Sequence, residues 1–136
     1  AAFMLGARGV QVGTRFLCAT ECQVHPNYKK KILAARDIDT VVTGKRLGHP
    51  VRCLKNPFAR SFGQMEYDSS LTNEEIEKFG AGSLRKAAVE GDMENGSIMA
   101  GQIAALVKEE QPAAQIIREM FAQAEQLLAE AAKWVR

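Results

Sequence analysis

Histidine and cysteine, the residues from which most metal centres and nucleophile–base pairs are built, are scarce in this sequence. Two histidines and three cysteines occur in 136 residues. Cys18, Cys22 and Cys53 are an odd count at irregular spacing, whereas a closed structural zinc site wants four ligands in paired spacings. No metal site is expected, and the thiols read as reduced and buried, as in a cytoplasmic protein. An excess of one charge is also missing. The 18 basic and 16 acidic residues leave a net charge of +2, too weak a field to argue for nucleic acid. No run approaches the roughly 18 apolar residues of a membrane span. Ala1 to Ala7 is apolar but lacks the basic leader and cleavage pattern of a secretory signal. Internal repeats and low-complexity tracts are absent as well. What remains is an ordinary globular balance, 46% apolar and 25% charged, enough for one domain around one core.

The chain opens in the apolar stretch Ala1-Ala2-Phe3-Met4-Leu5-Gly6-Ala7 without a helix cap ahead of it. A natural terminus is usually polar and loosely held. This one reads as the last turns of a helix, and further sequence upstream is expected. Gly6 and Arg8-Gly9 stop that helix, and Val10-Gln11-Val12-Gly13 alternates with period two, predicting a short strand. Helix, glycine turn, strand and Gly-Thr loop follow one another as in an α/β protein. Pro26 suits the first turn of a helix to about Ala35, with Tyr28, Ile32 and Leu33 on one side. Asp39 to Thr43 and Pro50 to Lys55 predict two strands of a small antiparallel ribbon. Asn56 to Leu71 reads as irregular. Thr72 and Glu75 form a capping box, starting a helix that ends at Gly80. Ser83 caps a further short helix stopping at Gly91. The turn Glu94-Asn95-Gly96-Ser97 opens a helix over about Ile98 to Lys108. The last helix begins near Pro112. Its Ile116, Ile117, Met120, Phe121, Ala124, Leu127, Leu128, Ala131 and Trp134 recur at i, i+3, i+4, predicting a packed apolar face.

Two segments carry candidate chemistry. Gly13-Thr14 ends a predicted strand, where a glycine lets backbone amides approach an anion and Thr14 adds a hydroxyl. Loops after the last strands of (β/α) barrels often hold a phosphate, although a plain tight turn satisfies the same residues. Gly96-Ser97-Ile98-Met99-Ala100-Gly101-Gln102 is the second. Ser97 stands at an N-cap position, and small Ala100 and Gly101 beside Gln102 allow close packing on a flat ligand or on another helix. His25 and His49 each adjoin a proline and read as loop or capping residues. Lys29-Lys30-Lys31 reads as a solvated helix face; if functional, it would draw an acidic carrier or a phosphorylated cofactor. No acidic pair, Ser/His/Asp set or Cys/His set assembles into a complete catalytic constellation.

The opening AAFMLGARGVQVGTRFL resembles the last helix and strand of the flavin barrels that include enoyl-acyl-carrier-protein reductase II and nitronate monooxygenase. Three further segments separate those two: ATECQVHPNYKKKILAARDIDTVVTG, GHPVRCLKNPFAR and GDMENGSIMAGQIAALV. Together they resemble the FMN-dependent reductase family over almost the whole chain.

The resemblance implies an α/β fold: the C-terminal part of a (β/α)8 TIM barrel, its last helix and strand, plus a mainly helical substrate-side subdomain with a small β ribbon. Residues 1–22 would end the flavin-binding barrel, 23–95 would form the smaller subdomain, and 96–136 would return to the barrel. It further implies FMN as cofactor and NADH or NADPH as hydride donor. The substrate would be a trans-2-enoyl chain on acyl carrier protein, and the enzyme a cytoplasmic homodimer. Gln11, Val12, Gly13 and Thr14 would serve the FMN phosphate, and Ser97, Met99, Gly101 and Gln102 would return to the mouth of the barrel near the flavin. The family's catalytic histidine has no counterpart at His25 or His49 and is expected upstream of Ala1. Nitronate monooxygenase is the competing enzyme reading. A helical fragment that binds a carrier or self-associates, with no flavin, is the reading of another class.

Overall fold

A capping residue followed by proline sets the start of two of the helices. In the computed structural model, which describes residues 1–131 and 133, α1 spans Thr14–Leu17 and α2 spans Pro26–Leu33. His25 caps α2: its Nδ1 accepts the Asn27 amide at 3.1 Å, and Pro26 occupies the first turn, where no amide partner is lost. Tyr28 and Ile32, four apart, turn into the core and are almost fully buried.

Strands β1 (Thr40–Thr43) and β2 (Val51–Leu54) pair antiparallel, with Thr40 opposite Leu54 and Thr43 opposite Val51. Their connection needs glycine at Gly44. Its φ is +79°, and a Cβ there would collide with the His49 carbonyl. On the other side of β2 lies residues 98–100. Leu54 N donates to Ile98 O at 2.8 Å, and Ala100 N donates to Arg52 O at 3.1 Å. Cys53 and Met99 face each other as an antiparallel bridge. β2 therefore has backbone partners on both edges, β1 on one and residues 98–100 on the other.

Helices α3 (Pro57–Tyr67), α4 (Asn73–Gly80) and α5 (Ser83–Ala88) follow. A 3-10 helix, Gln102–Leu106, and the long α6, Ala113–Ala131, complete the chain. No described helix is long and apolar enough to cross a membrane. One core cluster centres on Cys18, Tyr28, Ile32, Leu54, Ile98 and Ala104. A second joins Phe58, Phe62 and Ile76 between α3 and α4, where Phe79 stacks on Phe58 with ring centroids 5.4 Å apart.

Several expectations hold: the ribbon, α2, the last helix near Pro112 and the Thr72–Glu75 capping box, whose two reciprocal bonds are both present. The opening residues form hydrogen-bonded turns, with Leu5 N on Ala1 O, closed by Gly6 at φ +90°. Others are corrected. Residues 56–71 are not irregular: Asn56 accepts the Ala59 amide at 2.8 Å and Pro57 starts α3. The proline marks a helix start, not a break. Residues 98–100 are extended instead of helical, because β2 takes their backbone groups; only 102–106 turn. Ser97 is thus not an N-cap. Gly82, at φ +75°, precedes α5, and Ser83 is its first residue, not its cap. Residues 10–13 form no strand, for lack of a ladder partner among the described residues. The apolar face of α6 is not packed: Ile116 is buried, but Phe121 is 52% and Leu127 68% exposed. Trp134, expected on that face, lies outside the described residues.

Asn56 does more than cap. Its amide also donates to the carbonyls of Met93 and Gly96, at 2.9 and 2.8 Å. Asn56→Ala is expected to cost about 2–3 kcal/mol in urea unfolding, against about 1 kcal/mol for the exposed cap variant Thr72→Ala. Equal costs would contradict this account of Asn56.

Candidate functional site

A cleft of about 310 Å³ opens where the chain's start meets residues 99–101. Gly13, Thr14 and Leu17 form one wall, Met99, Ala100 and Gly101 the other, and Arg52 of β2 lines it between them. The walls are joined by one hydrogen bond. Gly101 N donates to Thr14 Oγ1 at 2.8 Å, across 87 residues of sequence. Alanine at position 101 would set its Cβ 3.4 Å from that hydroxyl oxygen. Nothing lies within 4 Å of the position a Cβ would take on Gly13, so a ligand can approach the backbone there.

The polar groups at this cleft suit an anion. The amides of Thr14 and Arg15 meet no acceptor among the described residues, as expected for the first turn of a helix. Arg52 brings the charged side chain of the lining, its Nη1 steadied by Thr40 Oγ1 at 3.1 Å. Free amides, a glycine open to close approach and a guanidinium fit the phosphate end of a cofactor.

The first wall is tied down from behind. Arg15 donates from Nη1 to Glu109 O at 3.2 Å and from Nη2 to Gln111 Oε1. Gln111 N donates to Cys18 O, and Thr20 N to Gln111 O. Glu21 accepts the Ala113 amide at 2.9 Å at the start of α6, which holds its carboxyl below the usual range. Lys29 Nζ reaches Ala19 O at 2.7 Å and Glu110 Oε1 at 2.5 Å. Lys30 and Lys31 are exposed as expected, but Lys29 is buried. It neighbours Tyr28 on the inward side of α2 and meets a carboxylate there.

The second wall is tied from the core. The Tyr28 hydroxyl donates to Met99 O at 2.7 Å. Burial pushes its phenol from 10.0 up to about 12, so it keeps its proton at ordinary pH. Burial also raises the Cys18 and Cys53 thiols, the environment of inert rather than nucleophilic cysteines.

Of the residues expected to bind the cofactor, Gly13, Thr14, Met99 and Gly101 share the cleft. Gln11 is exposed, and Val12 faces a separate groove beside Arg15 and Met120. Ser97 is buried and turned to a pocket walled by Phe58 and Phe62. Gln102 is exposed at the start of the 3-10 helix. Sequence reasoning missed Arg52 and Leu17, and named Ala100 only as a small residue that allows close packing. Arg52 was legible as a lone cation in an apolar strand; Leu17 carries no signal of its own. His25 serves as a cap, and its ring packs against Gly91.

The family model for nitronate monooxygenase matches residues 1–123. A probable nitronate monooxygenase of Staphylococcus saprophyticus is 36% identical over 109 residues, covering 79% of this chain and 30% of that protein. Its counterpart from Bacillus subtilis is 31% identical over 127 residues, covering 88% of this chain and 34% of that protein. The chain thus spans about a third of the length of these curated relatives. Among solved structures, FabK from Thermotoga maritima, a TIM-barrel enzyme, superposes with a TM-score of 0.92 at 46% identity, covering 98% of this chain and 42% of that one. Nitroalkane oxidase from Streptomyces ansochromogenes superposes at 0.71 and 25% identity, covering 98% and 36%. The mixed α/β fold expected from the sequence is thus shared with a TIM-barrel enzyme over 98% of this chain.

The Tyr28 phenol gives the fold an alkaline limit. Its folded value of about 12 lies above the ordinary 10.0, so its contribution is complete below pH 10 and is lost as pH rises through 12. Urea unfolding should register a loss of at most about 2 kcal/mol across that window. Tyr28→Phe should lack this component; an identical alkaline slope in the variant would contradict the assignment.

Proposed function

The chain belongs to the nitronate monooxygenase family, and from that premise we propose that the whole protein is a flavin oxidoreductase reducing enoyl chains. Its substrate is a trans-2-enoyl group delivered on acyl carrier protein, with NADH or NADPH as electron source, in the cytoplasm. The observation that carries the flavin reading is the Gly101–Thr14 hydrogen bond. It unites the two segments that resemble the flavin site into one cleft with an anion-suited lining.

FMN, when bound, supplies the hydride chemistry, and the protein supplies binding and orientation. Thr14 and Arg15 offer backbone amides to the phosphate, Gly13 leaves room for it, and Arg52 balances its charge. Met99, Ala100 and Gly101 form the opposite wall and limit how far the cofactor can shift. Gln11, Val12, Ser97 and Gln102 do not line this cleft. The reductase is favoured over the monooxygenase by identity: 46% with FabK against 36% and 31% with the two probable nitronate monooxygenases. Nitronate oxidation is the second reading, supported by the family model and the nitroalkane oxidase superposition.

The test is made on the whole protein. Purified material is expected to have flavin absorption bands and to oxidise NADH or NADPH only when an enoyl thioester is added. Oxygen consumption with a nitronate, and no response to the enoyl thioester, would replace this reading with the second. A colourless protein that takes up no FMN would contradict both.

A further inference from the structure

We propose that Tyr28 is a positioning residue for the phosphate end of the cofactor, acting through the Met99 carbonyl; this rests on the flavin reading of the cleft. Tyr28 does not itself line the cleft. It stands on α2, is 2% exposed, and is among the largest fully buried side chains of the protein.

The wall it holds is a short run of extended chain whose backbone groups are bound in two directions. β2 takes the carbonyl of Ile98 and the amide of Ala100. Those bonds fix the two ends of the Met99 peptide pair but leave the Met99 carbonyl pointing away from β2, as alternation along a strand requires. That carbonyl is the acceptor of the Tyr28 hydroxyl at 2.7 Å. Two residues on, the Gly101 amide spans the cleft to Thr14. The orientation of the Met99–Ala100 peptide thus decides where Gly101 aims its amide, and Gly101 decides where Thr14 holds its hydroxyl. Tyr28, Met99, Gly101 and Thr14 form one relay from the core to the cleft.

A buried phenol is well suited to this task. The ring is locked by the packing of Ile32 and Leu54 in the same core cluster, and the proton stays in place at any working pH. Loss of the hydroxyl leaves a carbonyl without its donor, and the Met99–Ala100 peptide is then held from one side only, by the bond of the Ala100 amide to Arg52 O. The effect on the cofactor is indirect, so Tyr28→Phe and Thr14→Val should not weaken binding independently.

The experiment measures the dissociation constant of FMN by flavin fluorescence on the whole protein stripped of its cofactor. Tyr28→Phe keeps the ring and all its apolar packing, and circular dichroism verifies that it folds. It should weaken FMN binding by about five- to tenfold, the loss of one buried hydrogen bond. Thr14→Val should weaken it by a similar factor, and the double variant by much less than the product of the two. Ile76→Val, which thins the second core cluster away from the relay, should lower the melting temperature and leave FMN affinity unchanged. Unaltered affinity in Tyr28→Phe, effects that multiply in the double variant, or equal weakening by Ile76→Val would each overturn the positioning role. Absence of FMN binding in the unaltered protein would instead overturn the flavin reading on which it rests.

Discussion

One hydrogen bond, from the Gly101 amide to the Thr14 hydroxyl, makes a site of two otherwise separate walls. Neither segment forms a cleft alone. Residues 10–13 have no ladder partner among the described residues, and α1 is a single turn. Residues 98–101 are an edge laid on a two-stranded ribbon. Every other tie at the site makes that one bond possible. Arg15, Glu21 and Lys29 hold α1 and its exit against residues 109–113. β2 and Tyr28 hold the facing wall. Most of these ties join backbone groups to side chains; those of Lys29 to Ala19 O and of Tyr28 to Met99 O are the buried or half-buried ones and the costliest to lose.

The core and the site share their supports. Tyr28, Leu54, Ile98 and Ala100 belong to the main hydrophobic cluster, and the same stretch of chain reaches the cleft within one or two residues. A ligand at the cleft is therefore held by a wall as stiff as the core behind it. The second cluster, around Phe58 and Phe62, stands apart and supports the Ser97 side of the ribbon. The apolar side of α6 stands apart too. Phe121 meets Phe3 at 6.4 Å, and much of that face remains exposed.

Local chemistry was legible where a rule is local. The capping box at Thr72, the proline starts at Pro26 and Pro112, and the short strands of the ribbon, rich in Val and Thr, were all readable, because each is decided by neighbours within four residues. Asn56-Pro57 was misread because proline both opens and ends helices, and the apolar spacing of Phe58, Phe62 and Met65 that follows was needed to decide. The stretch after Ser97 was misread for a different reason. Its residues tolerate a helix, but β2 offers backbone partners that only tertiary structure supplies. Four of the eight expected site residues meet in the cleft. The others share its segments but face elsewhere, since alternation and turning send neighbours in different directions. Lys29 escaped because a triple lysine looks like solvated surface, and its carboxylate partner lies 81 residues away.

Membership of the nitronate monooxygenase family rests on the match over residues 1–123, and the cleft gives that membership a physical content in this chain. The central claim is that Thr14 binds the Gly101 amide and so assembles the cleft. Hydrogen exchange of the Gly101 amide in the whole protein tests it most directly. The account predicts slow exchange in the unaltered protein and in Thr14→Ser, which keeps the acceptor, and fast exchange in Thr14→Val. Fast exchange in the unaltered protein, or equal protection in Thr14→Val, would contradict it.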